Sequence, residues 1–119
     1  THASRRNRKE SSYFITTFFR NVDKIHWLED WKHEWMDFRV FNGHTRGMVV
    51  PRIITTDKVL YYVSDLIPME IFLDPEASSG YDTDPELARS EKVDFLESLD
   101  HSCDLVLFHD PFRQRIVYP

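Results

Sequence analysis

Apolar and polar positions change rhythm several times along this 119-residue chain. Residues 1–12, THASRRNRKESS, hold no apolar side chain beyond Ala3 and read as a flexible basic arm. SYFITTFFRNV, 12–22, is β-branched and aromatic, which favours a strand; its nearly unbroken apolar run also fits a helix. Asp23 then offers an N-cap to KIHWLEDWKHEWM. There Leu28, Trp31 and Trp35 recur at i, i+3 and i+7, flanked by Ile25 and Trp27, with Glu29, Asp30, Lys32, His33 and Glu34 opposite. That stripe predicts a tryptophan-rich helix. Its indoles are either core or an exposed anchor for a partner.

From residue 37 the period shortens. DFRVFNGHTRGMVV, 37–50, is two short apolar runs around Asn42-Gly43, a strong hairpin signal because both residues tolerate positive φ. Gly47 would extend the turn or form a bulge. MVVPRIITT, 48–56, is the returning strand, with Pro51 at an edge or bulge. In TDKVLYYVSDLIP, 56–68, Val59, Leu60, Val63, Leu66 and Ile67 follow helical spacing, Thr56 or Asp57 can cap, and Pro68 stops the run. This predicts a helix, with a strand over 59–63 as the rival. MEIFL, 69–73, reads as a short strand and DPEASSGYDTDPE, 74–86, as a mobile acidic loop. Residues 87–99 carry Val93, Leu96 and Leu99 on one short amphipathic helix or turn. CDLVLFH, 103–109, is a dense apolar strand, and DPFRQRIVYP closes the chain as an edge strand.

Composition narrows the class. With 41% apolar and 29% charged residues the chain is ordinary globular material, long enough for one core. The expected organisation is the arm 1–12 and a single globular domain 13–119, divided into a strand/helix extension 13–36 and a core 37–119. Three glycines and no GxGxxG or GxxxxGK[ST] run exclude a phosphate-cradling loop. Cys103 stands alone, so no intrachain disulfide forms; a small buried hydrophobe is its expected role. No apolar stretch reaches membrane-spanning length, and the basic start is not a signal peptide. An intracellular, cytoplasmic protein is the default. The missing initiator Met also admits a piece of a longer chain.

Charge is unevenly placed. Residues 1–60 hold 11 Lys and Arg against 7 Asp and Glu, net +4; residues 61–119 hold 4 against 13, net −9. If the halves face apart the surface complements itself; if they interleave the dipole vanishes.

The chemistry-bearing residues follow no known spacing. Histidines 2, 26, 33, 44, 101 and 109 form no HxxxH or HExxH pair and meet no cysteine cluster, so no metal ligand is signalled. His109 and Asp110 are adjacent, which alone does not make a dyad. Asp82, Asp84 and Glu86 start like a calcium loop, but the sixth position is Leu87 rather than glycine. Ser78 and Ser79 lack a nucleophile elbow. No catalytic residue, metal or cofactor is therefore expected.

Beyond residue 37 the order of elements — hairpin, helix, strand, loop with a helical turn, strand — resembles the ubiquitin-like β-grasp. FRVFNGHTR looks like the first hairpin of CIDE-N domains and of doublecortin domains. EKVDFLESLDHSCDLVLF, 91–108, is similar to the late turn and last strand of both. YDTDPE resembles the acidic motif of Phox-and-Bem type domains. The resemblance implies an α+β, ubiquitin-like β-grasp with the tryptophan-rich helix packed on it. It also implies a non-enzymatic self-assembly or protein-interaction module, part of a scaffold or cytoskeletal protein, pairing with a protein or with itself through opposite charges. The basic side would use Arg39, Arg46 and Arg52; the acidic side, Asp74, Glu76, Asp82, Asp84 and Glu86. A second class is nucleic-acid or microtubule binding through the basic half. A third is a small enzyme whose site gathers distant residues, for example His44, His109 and a carboxylate of the acidic loop.

Overall fold

The computed structural model describes Leu28, Trp31, residues 33–99 and residues 102–119. The expectations for the arm 1–12, the strand 12–22 and most of the tryptophan-rich helix lie outside the described residues. Two units divide the chain, Thr1–His33 and Glu34–Pro119. In the first, Trp31 N–H donates to the Leu28 carbonyl at 3.1 Å. Trp35, at the start of the second, stands in a turn and is 47% exposed rather than closing a helix.

The second unit is built on one five-stranded sheet in the order β1-β2-β3-β4-β5. The strands are β1 Met36–Phe41, β2 Met48–Ile54, β3 Val59–Tyr62, β4 Cys103–Val106 and β5 Arg115–Tyr118. Every neighbouring pair is antiparallel except β3 and β4, which run parallel. That pair therefore needs a crossover. It contains two short 3-10 turns, Ser64–Leu66 and Glu70–Leu73, and helix α1, Pro85–Glu97.

Opposed residues share a face of a sheet. The register Phe41↔Met48, Arg52↔Tyr61 and Tyr61↔Leu105 therefore sets one side. That side supplies every strand residue of the core, including Val50, Tyr61, Cys103 and Leu105, all at most 1% exposed. Helix α1 covers it with Phe95, whose ring meets Phe41 and Tyr61 edge-on at 5.8 and 5.4 Å. Cys103 is thus a buried core residue. The reverse side is also rich in apolar residues, among them Val49, Leu60, Tyr62 and Val106. Val40 and Val117 on it are 50% and 66% exposed. Its one acid, Asp104, is 2% exposed and bridged by Lys58 Nζ at 3.0 Å and Arg115 Nη2 at 2.5 Å.

The β-grasp expectation fails at residues 56–68. No helix follows the hairpin: Val59–Tyr62 is a strand, wedged between β2 and β4. Val, Leu and two Tyr in a row also suit a pleated surface, and partners on both sides decided the matter. The helix comes later, from the stretch read as an acidic loop and its sequel. MEIFL is a 3-10 turn, not a strand. The closing strand forms at the edge as expected. Among the described residues no helix is long and apolar enough to cross a membrane.

Candidate functional site

β1, β3 and β4 run in the same direction, because two antiparallel pairings and one parallel pairing separate them. Ligand sites in such sheets lie just past the carboxyl ends of the strands. Here each strand is followed there by one chemistry-bearing residue: His44 three residues after β1, Asp65 three after β3, His109 three after β4. The three meet. His109 Nε2 stands 3.0 Å from Asp65 Oδ1, and His44 Nε2 stands 3.6 Å from Asp65 Oδ2.

Each is held locally. The hairpin loop carrying His44 presses on α1 at Gly43, where a Cβ would fall 2.2 Å from the Ala88 nitrogen. Only glycine permits that approach. The positive φ of the loop belongs to Gly47, at +80°, and not to Asn42-Gly43 as the dipeptide suggests. Glu91 of α1 accepts from the Asn42 and Gly43 amides at 2.8 Å each. Thr83 N–H and Asp84 N–H return bonds to the His44 and Gly43 carbonyls at 3.0 and 2.9 Å. Asp65 follows Ser64, which holds φ at +49°, a left-handed conformation costly for a residue with a Cβ. His109 N–H donates to the Pro68 carbonyl at 3.0 Å. Asp110 does not form a dyad with it; its carboxylate accepts hydrogen bonds from the Glu70, Phe112 and Arg113 amides at 2.8–2.9 Å. Those bonds, the Glu70 amide first, hold Asp110 below the usual carboxylate range.

The fourth side chain comes from the acidic loop. Asp82, 5% exposed, places Oδ1 2.9 Å from His44 Nδ1 and accepts from Ser79 N–H through Oδ2 at 3.0 Å. A carboxylate only accepts, so His44 Nδ1 donates to Asp82 at 2.9 Å, while Nε2 is turned to Asp65 at 3.6 Å, beyond hydrogen-bond distance. Beside it, Lys92 Nζ donates to the Asp74 and Ala77 carbonyls at 3.0 and 2.5 Å and fastens the loop to α1. Burial pushes this ammonium below the usual lysine range, with Asp82 and Asp74 opposing. His44, Asp65, Asp82 and Lys92, though not His109, border a small opening of about 20 Å³ that Phe72, Ser79 and Arg89 also line.

The donor set suits a divalent ion in kind: two imidazole Nε2 atoms and one carboxylate are zinc ligands, and an outer carboxylate on the far nitrogen of His44 is the usual support. Among the described residues no group of three such side chains is arranged to hold an ion as it stands. The distances explain this: His109 and Asp65 are at hydrogen-bond separation, so an ion would replace the proton between them. Among the described residues these three donors are brought together, and zinc takes four or more ligands.

The residues expected on charged faces are scattered. Arg39 lies over the rings of Phe95 and Tyr61 at 5.7 and 6.0 Å and donates to Ser98. Arg46 is exposed in the hairpin loop. Arg52 pairs with Asp37 at 2.7 Å. Asp74 accepts from the Glu76 amide, and Glu76 pairs with Arg89. Asp84 caps α1 through Leu87 N–H at 3.1 Å, and Glu86 is exposed in its first turn. Of the eight, only Asp82 reaches the cleft's His44. Asp65 was missed because a helical reading of 56–68 hid it. The legible signal was the triplet of apolar runs ending in FNGH, YVSD and LFHD.

No protein-family model and no curated protein matches the chain. Solved structures do. A dizinc quorum-quenching lactonase, AidC, in complex with a product N-hexanoyl-L-homoserine, superposes with TM-score 0.69 and 24% identity over 87% of this chain and 37% of its own. A hydrolase of the beta-lactamase superfamily, AbOPH, gives 0.71 and 20% over 98% and 45%. A probable metal-dependent hydrolase from Staphylococcus aureus gives 0.64 and 17% over 74% and 32%. The chain thus has the fold of part of these hydrolases and spans less than half their length. This overturns the likeness to ubiquitin-like, CIDE-N and doublecortin domains. With it falls the reading as a non-enzymatic scaffold or cytoskeletal module; nothing in the likeness supports nucleic-acid or microtubule binding either.

Proposed function

We propose that the chain is a catalytic part of a metal-dependent hydrolase, supplying His44, Asp65 and His109 to a metal centre completed by donors outside its own described residues. The observation that carries this is geometric. Two imidazole Nε2 atoms address the two oxygens of one carboxylate, at the carboxyl ends of three co-directional strands. The fold likeness to a dizinc lactonase and a metal-dependent hydrolase points the same way.

When bound, a divalent ion supplies a water nucleophile at neutral pH and polarises a carbonyl. The chain's own residues do the rest. Asp65 would hold the centre; His44 and His109 would fix its position from two separate loops. Asp82 keeps the proton on His44 Nδ1. Phe108, 59% exposed and 4.4 Å ring to ring from His109, would give an apolar wall on one side. A lactone or related ester is the substrate class to assay first.

The test is zinc binding by the 119-residue chain, read by competition with a chromophoric chelator, with Asp65→Ala and His109→Ala beside it. Wild-type binding lost in both variants is expected. Binding unchanged by either variant rejects the site.

A further inference from the structure

Asp82 belongs to the one stretch of the acidic loop that turns inward, and its two oxygens have separate tasks. Oδ2 accepts from Ser79 N–H within the loop, and Oδ1 stands 2.9 Å from His44 Nδ1. The ring and the carboxylate come from segments stitched together by backbone bonds, Thr83 N–H to the His44 carbonyl and Asp84 N–H to the Gly43 carbonyl. The carboxylate cannot follow the ring if it rotates, because Ser79 holds it and Lys92 holds the preceding carbonyls. Which nitrogen of an imidazole carries its proton is set by the partner on the other.

We infer that Asp82 is a positioning residue that keeps the His44 ring proton on Nδ1, 2.9 Å from it, rather than on Nε2, which stands 3.6 Å from Asp65 and beyond hydrogen-bond distance. The consequence for metal affinity rests on the proposed function; the tautomer itself does not. With Asp82 absent, nothing among the bonds described for His44 selects Nδ1–H, and the Nε2–H form would present a proton where a ligand lone pair is needed.

The experiment uses the metal-free chain labelled with ¹⁵N-histidine. Long-range ¹H–¹⁵N correlation assigns the His44 tautomer in wild type, Asp82→Ala and Asp84→Ala. Zinc affinity of each follows by chelator competition. Asp84→Ala loosens the same loop by removing a helix cap and controls for a structural effect. Wild type and Asp84→Ala should show Nδ1–H. Asp82→Ala should show the Nε2–H form and bind zinc roughly 10–100-fold more weakly. A wild-type Nε2–H tautomer overturns the inference, and does so even if Asp82→Ala fails to fold. So does Asp82→Ala with an unchanged tautomer and affinity. A wild type that shows Nδ1–H, loses it in Asp82→Ala and binds no zinc supports the positioning role while removing the metal reading.

Discussion

Replacing Gly43 by alanine should break the seam that carries His44. The new Cβ would lie 2.2 Å from the Ala88 nitrogen, 2.3 Å from its Cα and 2.8 Å from its Cβ. Two of those atoms are backbone inside α1 and cannot swing aside, so the loop and the helix must part by more than about 1 Å to reach ordinary contact of roughly 3.5 Å. Four hydrogen-bonded contacts cross this seam at 2.8–3.0 Å: the Asn42 and Gly43 amides to Glu91, and Thr83 and Asp84 amides to the loop carbonyls. An ångström of separation takes all of them out of range. At about 0.5–1.5 kcal/mol each, and with some relaxation, the loss is about 3 kcal/mol. For a domain of this size that lowers Tm by roughly 12–20 °C. Urea unfolding followed by tyrosine and tryptophan fluorescence reads it, with two controls. Gly80→Ala, where a Cβ meets nothing within 4 Å, should change little. Gly47→Ala meets nothing either but sits at φ +80°, and should lose about 1–2 kcal/mol from backbone strain alone. A Gly43→Ala chain within about 0.5 kcal/mol of wild type at unchanged m-value would refute the close-approach argument.

Other outcomes follow from the same contacts. Asp104, hydrogen-bonded by Lys58 first and paired with Arg115, has its pKa held below the usual carboxylate value. Its stabilising contribution is therefore present above the unfolded pKa near 4 and lost as pH falls through the lower folded value. Asp104→Asn should flatten stability against pH in that acid window and nowhere above it; an acid melt with unchanged slope contradicts this. Asp84→Ala removes the α1 cap and should cost about 1 kcal/mol by thermal unfolding, while leaving the sheet spectrum intact. Phe95→Ala, taken from a ring 1% exposed between Phe41 and Tyr61, should cost about 3–5 kcal/mol. A loss under 1 kcal/mol would mean that α1 does not close the core.

Local physics made several elements readable. Alternation around residues 38–50 foretold the hairpin, and the apolar run at 103–107 foretold the buried strand next to the closing edge strand. Asp84-Pro85 starts α1 eight residues before Val93, the first of the periodic residues, inside the stretch whose acidity reads as loop. The site was legible in type rather than in pattern. His44, His109 and an acidic-loop carboxylate were named as one possible gathering, yet no spacing ties residues 44, 65, 82 and 109 together. Metal-site motifs with short spacings come from one helix or one loop; these residues come from four separate loops.

By itself, then, the sequence determined where the chain alternates, where it turns, and that Cys103 and the run after it are interior. Whether Val59–Tyr62 is helix or strand depended on strand partners 5–9 residues earlier and more than 40 residues later, which local spacing cannot weigh. The parallel pairing of β3 with β4 decided the rest. It aligned three carboxyl strand ends and so set His44 and His109 on the two oxygens of Asp65. Bringing such distant residues together is a property of the sheet's topology, and only the tertiary structure contains it.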